Sequence, residues 1–465
     1  MIDLLKAYGE ETMPKKHIII LAILPILFFY TVFLTDFGFA APDPNRVIIV
    51  NPEGSSSIQA AINNANEGDT IIVENGIYHE WHILVNKTLT IIGRTMENTI
   101  IDGNGTADVI FHVTASNVVI ENFTLKNTDV NPGVQGTAIR VSKAKNVKVN
   151  SVIAKDTYYG IELLSSNFTR ITRCQISDSV WGVYLHDKSL NNTFIGNTIA
   201  NNKIGINIPD SKSQYNIFYH NNFINNDKHV SLLGGINYFD NGYPSGGNYW
   251  SSYINGQDLK HGPYQNETES DGILDEPYAN APDKYPFAYP LTFIEIPIAE
   301  EHFQVIASTN STLNTYEFNP QIKSLRLSLS GADETCGVCR ITIPKRLLSC
   351  DQPNQWNIIL SDEQLNYLAL EDEENTYLYF TYAQSINFEI EVIGINAVPE
   401  FPDIFTLLVS LGIIALAIAK KLKGGFYRTL PKTLRISGRK MSMSEYTYYI
   451  SILFGDLLGH LKKNC

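Results

Sequence analysis

The sequence predicts an all-β chain: a right-handed parallel β-helix with an N-terminal cap helix, then a small β-sandwich and a C-terminal transmembrane helix. Three observations carry this reading. An octamer with glycine at its fifth position recurs at a nearly constant interval. Apolar and polar residues alternate behind each glycine. Apolar runs flanked by lysines stand near both ends of the 465-residue chain.

In chain order, Lys15 and Lys16 precede an apolar run from Ile18 to Leu34, and Gly38-Phe39-Ala40 follows. Residues 1–40 therefore read as a signal peptide or a signal anchor, and the body as exported. Next, "SSSIQAAINNANEGD" lets Ser57 cap a short helix that places Ile58, Ala61, Ile62 and Ala65 on one face. That helix is predicted to cover one end of the solenoid occupying residues 45–291.

The repeat comes after it. "DTYYGIEL" (Asp156–Leu163), "DSVWGVYL" (Asp178–Leu185) and "NNKIGINI" (Asn201–Ile208) align on Gly160, Gly182 and Gly205. Ala138 and His229 fill the same slot one step before and one step after. Behind the slot come Ile139, Ile161, Val183, Ile206 and Val230, and two residues later Val141, Leu163, Leu185, Ile208 and Leu232. Between them stand Arg140, Glu162, Tyr184, Asn207 and Ser231. That alternation marks a strand with one buried face. The glycine is expected to supply a turn conformation. Asp156, Asp178, Asn201 and Asn225, four residues before the slot, are expected to form a turn ladder. Leucine-rich repeats share the period, but their leucine frame and returning helix are missing here.

Residues 296–397 hold short alternating strands, such as "SLRLSLSG" and "NFEIEVIGI", and read as a β-sandwich stalk. Residues 398–423 contain "VPEFP", the apolar run Ile404–Ala419 and three lysines, which read as a sorting motif and transmembrane helix. Residues 424–465 form a basic cytoplasmic tail. Charge agrees: the chain carries −13, yet residues 420–465 hold ten Lys/Arg against Glu445 and Asp456. This places the body on the extracellular face and the tail inside. The net negative charge argues against a nucleic-acid partner.

Several residues are candidates for function. Tyr158, Trp181 and Tyr184, with Glu162 and Asn207 beside them, offer aromatic platforms and hydrogen-bonding groups to a polysaccharide. Trp250 could form a second platform or plug the solenoid. Asp258, Asp271, Asp275 and Glu276, with Asp283 nearby in sequence, are expected to gather around Gly272 as oxygen donors for a calcium ion. Asn86, Asn104, Asn122, Asn167, Asn191, Asn266 and Asn310 head glycosylation sequons. Export favours a disulfide between two of Cys336, Cys339 and Cys350. No catalytic residues stand out, since Asp156 and Asp178 share their slot with asparagines. Copper ligation is not expected: Met96 is the methionine of the solenoid, and its histidines are scattered.

The cap helix with "GDTIIVENGIYHE", then "NIFYHNNFINN" and "GGNYWSSY…SDGILDEPY…YPFAYPL", resembles the NosD-type right-handed β-helix family. The family sits in a wider group of carbohydrate-binding and sugar-hydrolysing β-helices and is named after a periplasmic protein needed to mature a copper enzyme. "VPEFP" before the second apolar run resembles an archaeal PEF-CTERM sorting signal, although this chain continues well past the lysines. Three readings compete: a membrane-anchored surface protein that binds carbohydrate without chemistry, a NosD-like accessory in copper-enzyme maturation, or a polysaccharide lyase or hydrolase. The first is the expectation, because no carboxylate pair suited to glycoside cleavage is legible.

Overall fold

The computed structural model describes residues 46–398 apart from Ser55, Ser56 and Glu300, and the backbone of two short strands, Leu434–Ile436 and Arg439–Met441. The signal, sorting-motif, membrane and cytoplasmic-tail segments expected from the sequence lie outside the residues described in full. Among the described residues no helix is long and apolar enough to cross a membrane.

Strands from Val47 to Trp250 stack in parallel to form a β-solenoid, with nine strands in succession along its longest ladder. Each coil presents three faces. One carries the octamers: Ile83–Val85, Val109–Val113, Thr137–Ser142, Tyr159–Leu164, Trp181–His186, Ile204–Ile208 and Lys228–Leu232. Ile139, Ile161, Val183, Ile206 and Val230 pair across it in unbroken register and are buried. The other two faces form one folded sheet, and in the later coils their strands are only three residues long, as in Arg170–Thr172 and Gln175–Ser177. Their inward columns become aromatic towards the C-terminal end. Phe194, Phe218 and Phe239 stack at 4.6 and 4.8 Å, and Phe223 lies 4.2 Å from Trp250.

The corners explain the repeat differently from the expectation. Asp156, Asp178, Asn201 and Asn225 adopt the left-handed conformation, with φ of 55°, 54°, 56° and 50°. Asparagine and aspartate tolerate that region better than other side chains. The glycines do not adopt it. A Cβ on Gly160, Gly182 or Gly205 would come within 2.5, 2.7 or 2.5 Å of the next coil's carbonyl oxygen. The slot is therefore kept empty so that coils can approach. His229 is accommodated because the octamer face ends with its strand. Gly182→Ala is expected to lower stability by about 1–3 kcal/mol through overpacking against backbone. An unchanged melting temperature would show that this spacing can relax.

The hydrogen-bonded ladder stands one residue after the turn slot. At this corner Asn202 Oδ1 accepts from the Ser179 amide at 3.0 Å, and Asn202 Nδ2 donates to Asn226 at 3.0 Å. The same device recurs at the other two corners, through Asn192–Asn216–Asn237 and Asn197–Asn221–Asn248. These amides are buried, and each occupies backbone groups that the bends leave free of the sheet.

A helix from Ile58 to Asn64, N-capped by Ser57 through a bond from the Ala60 amide, buries Ile58, Ala61 and Ile62 in the solenoid core. Beyond the solenoid, two five-stranded antiparallel sheets share a second core. Their first strand, Leu291–Ile298, starts before the expected boundary at residue 296.

Candidate functional site

The outward column of the octamer face contains the candidate site. Leu84, His112, Arg140, Glu162, Tyr184, Asn207 and Ser231 follow one another in register, one per coil. Glu162 faces outward as expected, yet it is only 5% exposed. Arg140 Nε donates to its Oε2 at 2.5 Å, His186 Nε2 lies 3.0 Å from its Oε1, and Thr137 Oγ1 is 3.2 Å from Oε2. Burial pushes the Glu162 carboxyl up, but the His186 hydrogen bond and the Arg140 charge outweigh it and hold the group below its usual range. Glu162 is thus an ionised anchor that orients a guanidinium and an imidazole. Its link to Arg140 is readable in the sequence from the shared column. Its link to His186 is not, because His186 stands in the neighbouring outward column, paired with Leu164.

The rings form a continuous row. Tyr159 stacks on Tyr184 at 4.8 Å, Tyr184 on His186 at 4.3 Å, and Trp181 meets Tyr184 edge-on at 4.7 Å. Tyr158 closes on Tyr159 at 4.8 Å. Tyr158 and Tyr159 are buried, whereas Trp181, Tyr184 and His186 keep part of their surface in solvent. Burial, with Glu162 next, raises the Tyr184 pKa, so its hydroxyl stays protonated. Tyr184 is accordingly half-buried within an aromatic row and keeps part of its surface in solvent. Asn207 lies on the next coil, also largely covered. Tyr159 joins the row although its place in the repeat does not mark it as a platform. It precedes the glycine slot, as Trp181 does, and the strand pairs the two.

Other expectations are corrected. Trp250 is not a platform: it is 2% exposed, stacks between Phe223 and Tyr278, and donates Nε1–H to Asp283 at 2.7 Å. The acidic loop does not gather its carboxylates. Asp258 accepts from the amides of Asp271 and Gly272, Asp275 from those of Leu259 and Lys260, and Glu276 is exposed. Asp271 is fully buried beside Arg340. The cation beside Asp271 is a guanidinium supplied by the second unit. Among the described residues no three His, Cys, Asp or Glu side chains come together as a metal site.

Cys336, Cys339 and Cys350 are free thiols, so the expected bridge is not formed. Cys336 and Cys339 are three apart on one strand, which turns one to solvent and the other into the core. Of the sequon asparagines, Asn86, Asn104, Asn191, Asn266 and Asn310 are exposed. The Asn310 amide is engaged with Cys336, Val338 and Gln384.

Residues 44–254 match the family described as periplasmic copper-binding protein (NosD), and this part of the chain is a parallel β-solenoid. No curated protein matches the chain in sequence. Solved structures similar to it include a Geobacillus virus E2 protein at 13% identity, covering 64% of this chain and 74% of that one with a TM-score of 0.36. A pectin methylesterase from Yersinia enterocolitica matches at 19% identity, covering 37% of this chain and 66% of that one, TM-score 0.29. An alginate lyase from Paenibacillus matches at 15% identity, covering 44% and 80%, TM-score 0.29.

Proposed function

We propose that the protein is an exported, membrane-anchored surface protein whose octamer face binds a polysaccharide without chemical conversion. The observation that carries this reading is the partly exposed row Trp181–Tyr184–His186 on one strand, with Tyr159 stacked on Tyr184 from the coil before and the Arg140–Glu162 pair beside it on the two preceding coils. Aromatic rings flanked by fixed hydrogen-bonding groups suit the apolar faces and hydroxyls of sugars. Coils repeat every ~4.8 Å, so a chain laid along the solenoid axis meets several at once and gains by multivalency. Glu162, held ionised, is suited to orienting its neighbours and not to protonating a leaving group, which supports a binding role over a hydrolytic one. In this reading residues 1–40 direct export, the Ile58–Asn64 helix covers the N-terminal end, and the second unit is a stalk above an anchor at 398–423.

A glycan array probed with the purified protein tests the proposal. Retention of oligosaccharides several sugars long, but not of single sugars, is the expected result. No retention of any glycan would overturn it.

A second reading, an accessory in maturing a copper enzyme, is supported by the match over residues 44–254. The donors described here do not fit copper. His112 bonds Ser142 at 3.1 Å and His186 bonds Glu162, and no third ligand joins either among the described residues. Such a role would fall to the solenoid surface and not to a metal it carries.

A further inference from the structure

A second site lies between the solenoid and the antiparallel unit, away from the octamer face. Arg170, Thr172, Arg173 and Ile195 from two coils face Glu295, His302 and Gln304 from the first two strands of the second unit, around a cavity of about 280 Å³. That is near the lower end of the ~300–1,000 Å³ typical of small-ligand sites.

Its charges are unequally committed. Arg173 takes the left-handed conformation at a corner, with φ of 55°. It donates Nε–H to Asn150 at 3.0 Å and pairs through Nη1 with Glu295 at 2.5 Å. Gln304 holds the same Glu295 oxygen at 3.0 Å. The one carboxylate lining the cavity is therefore neutralised by Arg173. Glu121, two coils away from Thr172, is turned to Asn150 at 2.7 Å. Arg170 is exposed, and among the described residues its side chain makes neither hydrogen bond nor ion pair. Lys148 stands in register beside it on the previous coil, and His302 faces it from the other wall. The cavity is left with a net positive charge and an uncommitted planar guanidinium.

We propose that this cleft binds an oxyanion, a carboxylate or a sulfate ester, carried by an acidic polysaccharide. Arg170 supplies the paired N–H donors such groups accept, and Lys148 adds charge from the coil next to it. The polymeric source of the anion rests on the function proposed above; the cleft's preference for an oxyanion does not.

The test measures binding of three hexasaccharides to the full chain by calorimetry: a uronic-acid hexamer, a sulfated hexamer and a neutral hexamer. Wild type, Arg170→Ala and Trp181→Ala are compared. Arg170 is exposed and unpartnered, so its loss leaves the fold intact. At least one anionic hexamer is expected to bind about tenfold or more tightly than the neutral one, and which of the two does so identifies the oxyanion. Arg170→Ala should erase that preference and keep the neutral affinity, whereas Trp181→Ala should weaken all three and keep the preference. Equal binding of charged and neutral hexamers by wild type, or a preference surviving in Arg170→Ala, would overturn the cleft. An anionic preference that Arg170→Ala removes, with affinities untouched by Trp181→Ala, would confirm the cleft and count against the octamer face.

Discussion

Trp250→Ala is expected to destabilise the protein by about 3–5 kcal/mol, the range for removing a large buried aromatic side chain. The indole closes the solenoid's aromatic column, stacked at 4.2 Å on Phe223 and at 4.4 Å on Tyr278. It also donates to Asp283, which is fully buried and pushed up to about 7 by burial, although Trp250, Asn248 and Tyr285 all donate to it. Truncation opens a cavity and strips a donor from that carboxylate. Trp250→Phe keeps the stacking and loses only the hydrogen bond, so its cost should be smaller, about 1–3 kcal/mol. Urea denaturation of the two variants checks the ranking. A loss under about 1 kcal/mol for Trp250→Ala would mean that the end of the solenoid contributes little to its stability.

Arg340→Ala should cost about as much, for an electrostatic reason. The Arg340 side chain is buried where the second unit meets the solenoid's last turns. It donates to the Asp271 and Pro244 carbonyls, lies 3.5 Å from the Asp271 carboxylate, and stacks over Tyr377 at 5.2 Å. Removing one member of a buried pair leaves the other uncompensated, typically at about 3–5 kcal/mol. The pH dependence identifies the mechanism. Burial raises the Asp271 pKa and Arg340 opposes it, so without Arg340 the carboxyl moves further up. A group whose folded pKa exceeds its unfolded value binds more protons when folded, and its contribution is lost as pH rises. The penalty of Arg340→Ala should therefore be larger at pH 8 than at pH 5, measured as the difference in melting temperature from wild type. A penalty independent of pH would assign the loss to packing alone.

What the sequence disclosed follows from how far each signal reaches. The octamer face was legible because from Val109 onward its strands are five or six residues long and alternate cleanly, so Ile161, Val183 and Ile206 could be placed in register. The other two faces were not: a strand such as Gln175–Ser177 has a single inward residue, Ile176, and no period can be read from one position. The turn slot was found at Asp156 and Asp178, but the asparagine ladder lies one residue later, where Thr157 and Ser179 hide it in the earlier coils. Glycine's role was misassigned because a missing Cβ serves both tight turns and close approach, and only neighbouring coils tell them apart. The acidic loop showed its carboxylates but not its cation, since Arg340 comes from a strand 69 residues away. Trp250 presented both of its roles in sequence, and burial decides for the plug.

The central claim is that the ring-bearing octamer face holds a polysaccharide. Calorimetric titration of the best array ligand into wild type and Trp181→Ala/Tyr184→Ala, with circular dichroism to confirm an unchanged fold, tests it most directly. Each ring's stacking is worth about 1 kcal/mol, so the double variant should bind at least tenfold more weakly. Equal affinity in a folded double variant would contradict the claim.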